Sequence, residues 1–409
     1  PAAGSGTPAA DGSALAPDAA ATIAAAQWPG RWIAVSVVPG VTHNDVAALD
    51  LGAGVLAPLW STREGGNISD WTPSPAGDRI AFRTILRLGS TVEALESITV
   101  QTLAPGTVPV DVTATDTRQA RLAGFVWAPD GGAIAYGLTV GRGIDPAVAR
   151  PERWELRVVE VPPPDARPPA PAAPTPGAPV GDVRFAIPVD PTERIDLSLL
   201  AYDPASGRAA VAETARDSGL TGAVRLVDTT AGTVERLPTG AGRDLAAPSP
   251  DGRRLALAIA GEDGWRVERL DLATGAVATL ATLPPDASAA PPVWSPDGRW
   301  LAWPEVRGVA GDPTARTTLR VASADPAATG GGADLPITIE AEGAVRPIAF
   351  APDGGALLAG PIDPAVPDAG DTAAAGASPG LFVVALPAGT RRPVAWRPSI
   401  DTWWLGWVP

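Results

Sequence analysis

The chain of 409 residues predicts an all-β fold, a seven-bladed β-propeller, on three observations. A proline-bearing turn, with an aromatic residue before it and small apolar residues after it, recurs at intervals of 46 to 75 residues. Each interval has room for about four short strands separated by glycine-centred turns, the content of one propeller blade. Pro and Gly number 47 and 45, are spread along the whole chain, and leave no stretch of sustained helical periodicity.

The clearest copy of the unit is 293–303, where Val293 and Trp294 run into Ser295, Pro296, Asp297 and Gly298, and Arg299 to Trp303 leave. Pro presets φ near −65° early in such a turn, Asp bonds back to the backbone, and Gly supplies positive φ. In chain order, the first segment, 1–27, stands apart as an arm before the propeller of 28–409. Through residue 26 it is almost entirely Ala, Pro, Gly, Ser, Thr and Asp, with one Leu and one Ile. It reads as a flexible tether left after removal of a signal peptide. The alternative is that this Pro-bearing segment docks on an aromatic groove or sheet edge, of its own propeller or of the next copy, and so builds an oligomer or fibre. The absence of Met, even at position 1, reads as processing or trimming.

Trp28 and Pro29 lead into 30–35, which has the character of a strand leaving the turn. The copies that follow are Trp71 and Pro73, with a late glycine at Gly77, then Trp127 and Pro129, and then Tyr202 and Pro204, with a late glycine at Gly207. Next come Pro250, with Pro248 in the aromatic place, Trp294 and Pro296, Phe350 and Pro352, and finally Trp407 and Pro409 at the end of the chain. Strand–turn–strand segments lie between them at 47–59, 98–108, 225–237, 265–280 and 381–394. The Pro-rich stretch 162–179 accounts for the longest interval and reads as a rim loop, as do 307–317 and 362–379.

The 294–303 motif resembles the repeat of TolB-type β-propellers, also found in the propellers of prolyl-oligopeptidase-like enzymes. The resemblance covers roughly 28–409 and implies a ring of six to eight blades. It also implies closure: 403–409 would supply the strand before a turn and 31–35 the strand after it, so that one blade is made from both ends and no sheet edge stays open. Six internal copies plus this split blade make seven; eight blades follow if Trp28 and Trp407 belong to different ones. Neither the additional α/β domain of TolB nor the hydrolase domain of the peptidases has a counterpart in this sequence.

A net charge of −14 makes nucleic acid and anionic membrane surfaces poor partners. No apolar run approaches the roughly 20 residues of a membrane-spanning helix. Without cysteine there is no disulfide, thiolate metal site or thiol nucleophile. All basic residues other than one His are Arg, which fits a GC-rich bacterial genome, and a thermophilic source is compatible.

Catalytic motifs are weak. Gly376, Ser378 and Gly380 match the nucleophile pattern, but they lie in an Ala/Gly/Pro loop instead of between a strand and a helix. His43, beside Asn44 and Asp45, reads as a turn residue. One His and no Cys exclude the usual zinc sets, and Asp363, Asp368 and Asp371 are spread along a loop. Asp130, Asp251, Asp297 and Asp353 read as turn formers, and no phosphate or dinucleotide fingerprint occurs, so no cofactor is expected. The repeat tryptophans read as inter-blade core. Trp403 and Trp404, adjacent on a strand, face opposite ways and are candidate partner-binding residues. The expectation is thus an exported, non-catalytic protein-binding or structural module outside the cytoplasm, whose partner is a protein or other copies of itself. Two alternatives are a hydrolase or lyase with carboxylates at the propeller mouth, and an envelope-complex component of the TolB kind that binds a separate protein.

Overall fold

The structure is a computed structural model that describes residues 31–37, 44–50, 55–61, 66–87, 94–102, 107–117, 120–142, 150–163, 180–190, 192, 195–215, 221–237, 246–261, 263–308, 314–325, 337–351, 353–362, 381–386, 388–393 and 402–408. The arm 1–27, Trp28, His43, most of 162–179, Ser378, Asp363, Asp368, Asp371, Pro352 and Pro409 lie outside the described residues.

All described regular structure is β, arranged as seven antiparallel sheets. The first contains Arg31–Val37, Asn44–Asp50 and Val55–Ser61, and Thr402–Val408 from the far end of the chain pairs beside Arg31–Val37. The others follow in order. The second is Gly66–Pro73, Arg79–Arg87, Ala94–Thr102 and Val110–Asp116; the third is Ala120–Trp127, Ala133–Arg142, Arg150–Glu160 and Asp182–Pro188. The fourth is Ile195–Asp203, Arg208–Ala215, Thr221–Asp228 and Thr233–Leu237; the fifth is Ala246–Pro248, Arg254–Gly261, Gly264–Asp271 and Val277–Thr282. In the sixth, two short strands, Ala287–Ser288 and Val293–Trp294, both pair with Trp300–Arg307, and Arg316–Ser323 and Ile337–Glu342 follow. The seventh is Val345–Phe350, Ala356–Pro361, Phe382–Ala385 and Thr390–Pro393.

The core lies between sheets. Leu255, Leu257 and Ile259 pack with residues of the fourth sheet, while Ala256, between them, packs with Trp294 and Trp303 of the sixth. Alternate side chains of one strand therefore serve two neighbouring sheets. This is why the strands after the turns are nearly continuous runs of apolar residues, since both of their faces are covered. Equivalent layers join the second sheet to the third, the third to the fourth and the sixth to the seventh. Val345–Phe350 of the seventh sheet lies beside Thr402–Val408, which in turn lies beside Gly66–Pro73 of the second.

The first and second strands pair irregularly, with a bulge in the first, second, third, fourth and seventh sheets. Bulges increase the local twist. Gly124 sits at the one in the third sheet with φ +83°, and a Cβ there would lie 2.4 Å from Leu199 O in the fourth sheet. Only glycine allows that approach.

Candidate functional site

The turns between first and second strands have a common geometry. The Ser295 amide donates to Trp300 O at 2.9 Å, and the Gly298 amide donates to Ser295 O at 2.9 Å. Ser295 Oγ accepts from the Trp300 amide at 2.9 Å, and Asp297 Oδ1 accepts from Ser295 Oγ at 2.5 Å and from the Arg299 amide at 3.0 Å. The same two backbone bonds close the turns at 74–79, 128–133, 249–254 and 351–356. Asp130 and Asp353 bond the amides of Gly132 and Gly355, and Asp251 bonds the Arg253 amide. At Asp251 burial acts to raise the carboxyl pKa, but the Ser249 hydroxyl, the Arg253 amide and the charges of Arg254 and Arg253 outweigh it and hold it below its usual value.

In the second sheet this geometry shifts the reading by two residues. Ser74 takes the place of Ser295, Pro75 that of Pro296, and Gly77 (φ +70°) that of Gly298. Pro73, paired with Ile80, therefore stands where Trp294, paired with Leu301, stands in the sixth sheet. Trp71 lies two positions earlier. The sequence holds two overlapping x-Pro pairs here, and the nearby aromatic selects the wrong one; the spacing of Pro73, Ser74 and Pro75 matches that of Pro248, Ser249 and Pro250. Tyr202 pairs with Ala209 in the place of Trp127 with Ile134, and its glycine comes one residue later because the Asp203 side chain caps the turn, accepting from the Ala205 amide and Ser206 Oγ.

These turns are held across sheets by a device present twice among the described residues. Trp127 Nε1 donates to Thr72 O at 3.0 Å, and Trp294 Nε1 donates to Ala247 O at 2.8 Å. In return Arg79 of the second sheet lies 5.1 Å over the Trp127 ring and donates to Gly131 O at 2.7 Å. Arg254 of the fifth sheet repeats this with Trp294 and Gly298. Trp127 and Trp294 are 6% and 7% exposed, with their edges at the wall of a cavity.

That cavity has a volume of about 480 Å³ and is lined from all six sheets whose side chains are described. Its wall is made of Trp71, Trp127, Tyr202, Trp294 and Phe350, and of the turn prolines Pro73, Pro75, Pro248, Pro250 and Pro296. Thr72, Ser74 and Ser249 add hydroxyls, and no described lining residue is charged. Burial raises the Tyr202 phenol above its ordinary value and Asp203 adds to this against Arg184, so it stays protonated at neutral pH. Such a wall offers flat apolar faces and a few hydrogen-bonding groups, and none of its described residues is a carboxylate or an imidazole. Its volume falls in the usual range for ligand sites.

A second cavity, of about 630 Å³, opens between the fifth and sixth sheets beside Gly261, Trp265 and Ser288. Of its two carboxylates, Asp263 and Asp286, the latter pairs with Arg307 at 3.3 Å. Among the described residues no group of three or more His, Asp or Glu could hold a metal ion. Among the described residues no helix is long and apolar enough to cross a membrane. Thr402–Val408 places Trp403 opposite Val35 and Trp404 opposite Ala34 in the backbone register. Along the sequence the repeat positions stand far apart. Their convergence on one wall, with Tyr202 and Phe350 as members, needs three dimensions.

No protein-family model and no curated protein matches the sequence. Solved structures do match in fold. Puromycin hydrolase is 16% identical with a TM-score of 0.53, over 93% of this chain and 55% of its own. TolB from Acinetobacter baumannii is 17% identical with a TM-score of 0.40, over 72% and 61%. An oligogalacturonate lyase in complex with manganese is 14% identical with a TM-score of 0.47, over 90% and 86%. The chain thus spans about half of the length of puromycin hydrolase and about three-fifths of that of TolB. At these identities the likeness is one of fold alone.

Proposed function

We propose that the chain forms a seven-bladed ring, closed by Thr402–Val408 against Arg31–Val37, and acts as a non-catalytic protein-binding module. The support for closure is the antiparallel register Trp32–Trp407 and Val35–Trp403, together with the position of Thr402–Val408 between the second and seventh sheets. The docking site is the cavity at the ends of the first strands, and its occupant is an extended, proline-bearing segment of a partner protein. The observation that carries this reading is a wall contributed by six sheets, rich in aromatic and proline faces and without a charged side chain among its described residues. Extended proline-bearing peptides are preorganised and lay their rings on aromatic faces, while isolated hydroxyls bond their carbonyls. A function outside the cytoplasm belongs to the same proposal and rests on the composition of 1–27.

The test is calorimetric titration of the full chain with a synthetic peptide of alternating Ala and Pro, in millimolar excess. Saturable binding at one site, weakened about tenfold or more in Trp71→Ala, is expected; a tenfold loss corresponds to about 1.4 kcal/mol. Absence of saturable binding, or equal binding by the variant, overturns the reading.

A further inference from the structure

The register of the first sheet fixes where the arm enters the fold. Trp32 pairs with Trp407 as Leu301 pairs with Trp294 and Ile134 with Trp127. Arg31, opposite Val408, therefore holds the place of Arg254 and Trp300, the first residue after each turn. Arg31, where the described chain starts its first strand, thus stands at the same end of the sheets at which the turns enclose the cavity.

We propose that the arm, residues 1–27, is a ligand of this cavity in its own molecule: the segment around Leu15, Pro17 and Ile23 lies on the wall formed by Trp71, Tyr202, Trp294 and Phe350. Four arguments converge. The arm is tethered at the rim, so its effective concentration there is on the order of millimolar and a weak contact suffices. Its length does not limit it, since 27 residues reach about 90 Å when extended. Its composition suits the wall, with Pro1, Pro8 and Pro17, many alanines, and Leu15 and Ile23 as its only large aliphatic side chains. Its charged side chains are Asp11 and Asp18, and no described residue of the wall is charged, so neither meets an opposed carboxylate there. The inference rests on the docking reading above and deepens it, because a partner's segment would then have to displace the arm.

The experiment compares the full chain with the variant Leu15→Asp/Ile23→Asp, which alters no described residue. Elastase cleaves exposed alanine-rich chain, and cleavage within 1–27 is followed by mass spectrometry at two protein concentrations tenfold apart. Slow cleavage in the parent at both concentrations, and cleavage at least tenfold faster in the variant, is expected. Equal, rapid cleavage of both proteins overturns the proposal. Protection lost on dilution also overturns it, because the arm then comes from another copy. The Ala-Pro peptide gives a second readout: its apparent affinity should rise tenfold or more in the variant. If it binds parent and variant equally well, the arm proposal fails while the docking reading stands. If it binds neither, the docking reading fails, and elastase protection alone decides the place of the arm.

Discussion

The guanidinium of Arg254 lies 5.0 Å over the ring of Trp294, one sheet away, and its Nη2 donates to Gly298 O at 3.1 Å. Trp294 answers with its indole N–H on Ala247 O, so two neighbouring sheets are clipped in both directions. A stacked cation of this kind contributes on the order of 0.5–2 kcal/mol, and a hydrogen bond about 0.5–1.5. Arg254→Ala should therefore lower unfolding stability by about 1–3 kcal/mol, measured by urea denaturation. Trp294→Phe keeps the ring but removes the indole N–H that Ala247 O accepts, and should cost about 0.5–1.5 kcal/mol by the same measurement.

That pair also marks what the sequence could disclose. Trp294, Pro296 and Gly298 were legible as a repeat because a turn imposes its chemistry locally: a fixed φ at Pro, a positive φ at Gly and a carboxylate returning to the backbone. Arg254 was not, since its partner is 40 residues away and no local rule requires an Arg after the turn; Trp300 and Ala133 occupy the same place elsewhere. The second sheet is hard to register for a related reason: Trp71 stands near the turn, but Pro73 occupies the aromatic's place opposite Ile80. The cavity was invisible because each sheet contributes only one short stretch to it.

Gly124 provides the next test. Its φ is +83°, and a methyl group there would sit 2.4 Å from Leu199 O and 2.9 Å from Leu199 N. Both atoms are backbone of the neighbouring sheet and cannot swing aside. Gly124→Ala combines steric overlap with a disfavoured backbone region costing about 1–3 kcal/mol by itself. A loss of at least that size in the unfolding free energy is expected. An unchanged midpoint would mean that the third and fourth sheets do not meet in this way.

Glu96 is 2% exposed and accepts from Arg83 Nη2 at 2.8 Å and, across to the third sheet, from the Leu122 amide at 2.7 Å. Arg83 also reaches Asp70 at 3.2 Å. Glu96→Ala leaves a buried guanidinium short of its main partner and a buried amide without its acceptor, and should cost about 3–5 kcal/mol. Replacing both residues in Glu96→Leu/Arg83→Met should recover part of that loss, since no buried guanidinium is then left without its partner, while the Leu122 amide still lacks its acceptor and Asp70 loses Arg83. The comparison is a double-mutant cycle by denaturant unfolding.

Acid should be the condition that loosens these sheets. At Glu155 burial acts to raise the carboxyl pKa, but hydrogen bonds from Arg153 and Arg157 and their charges outweigh it, and the pKa lies below its usual value, as at Asp251. A carboxyl depressed on folding contributes stability that is complete above its unfolded pKa, near 4, and is lost as pH falls through the folded value. With a single His in the chain, little else titrates between pH 5 and 8. The unfolding midpoint should therefore be nearly flat from about pH 5.5 to 8 and fall steadily below about pH 4. Glu155→Gln should lower the midpoint at neutral pH and flatten the acid limb, because the amide cannot lose the charge that Arg153 and Arg157 now meet. A variant with the parent's full acid slope would show that the slope arises at other carboxyls.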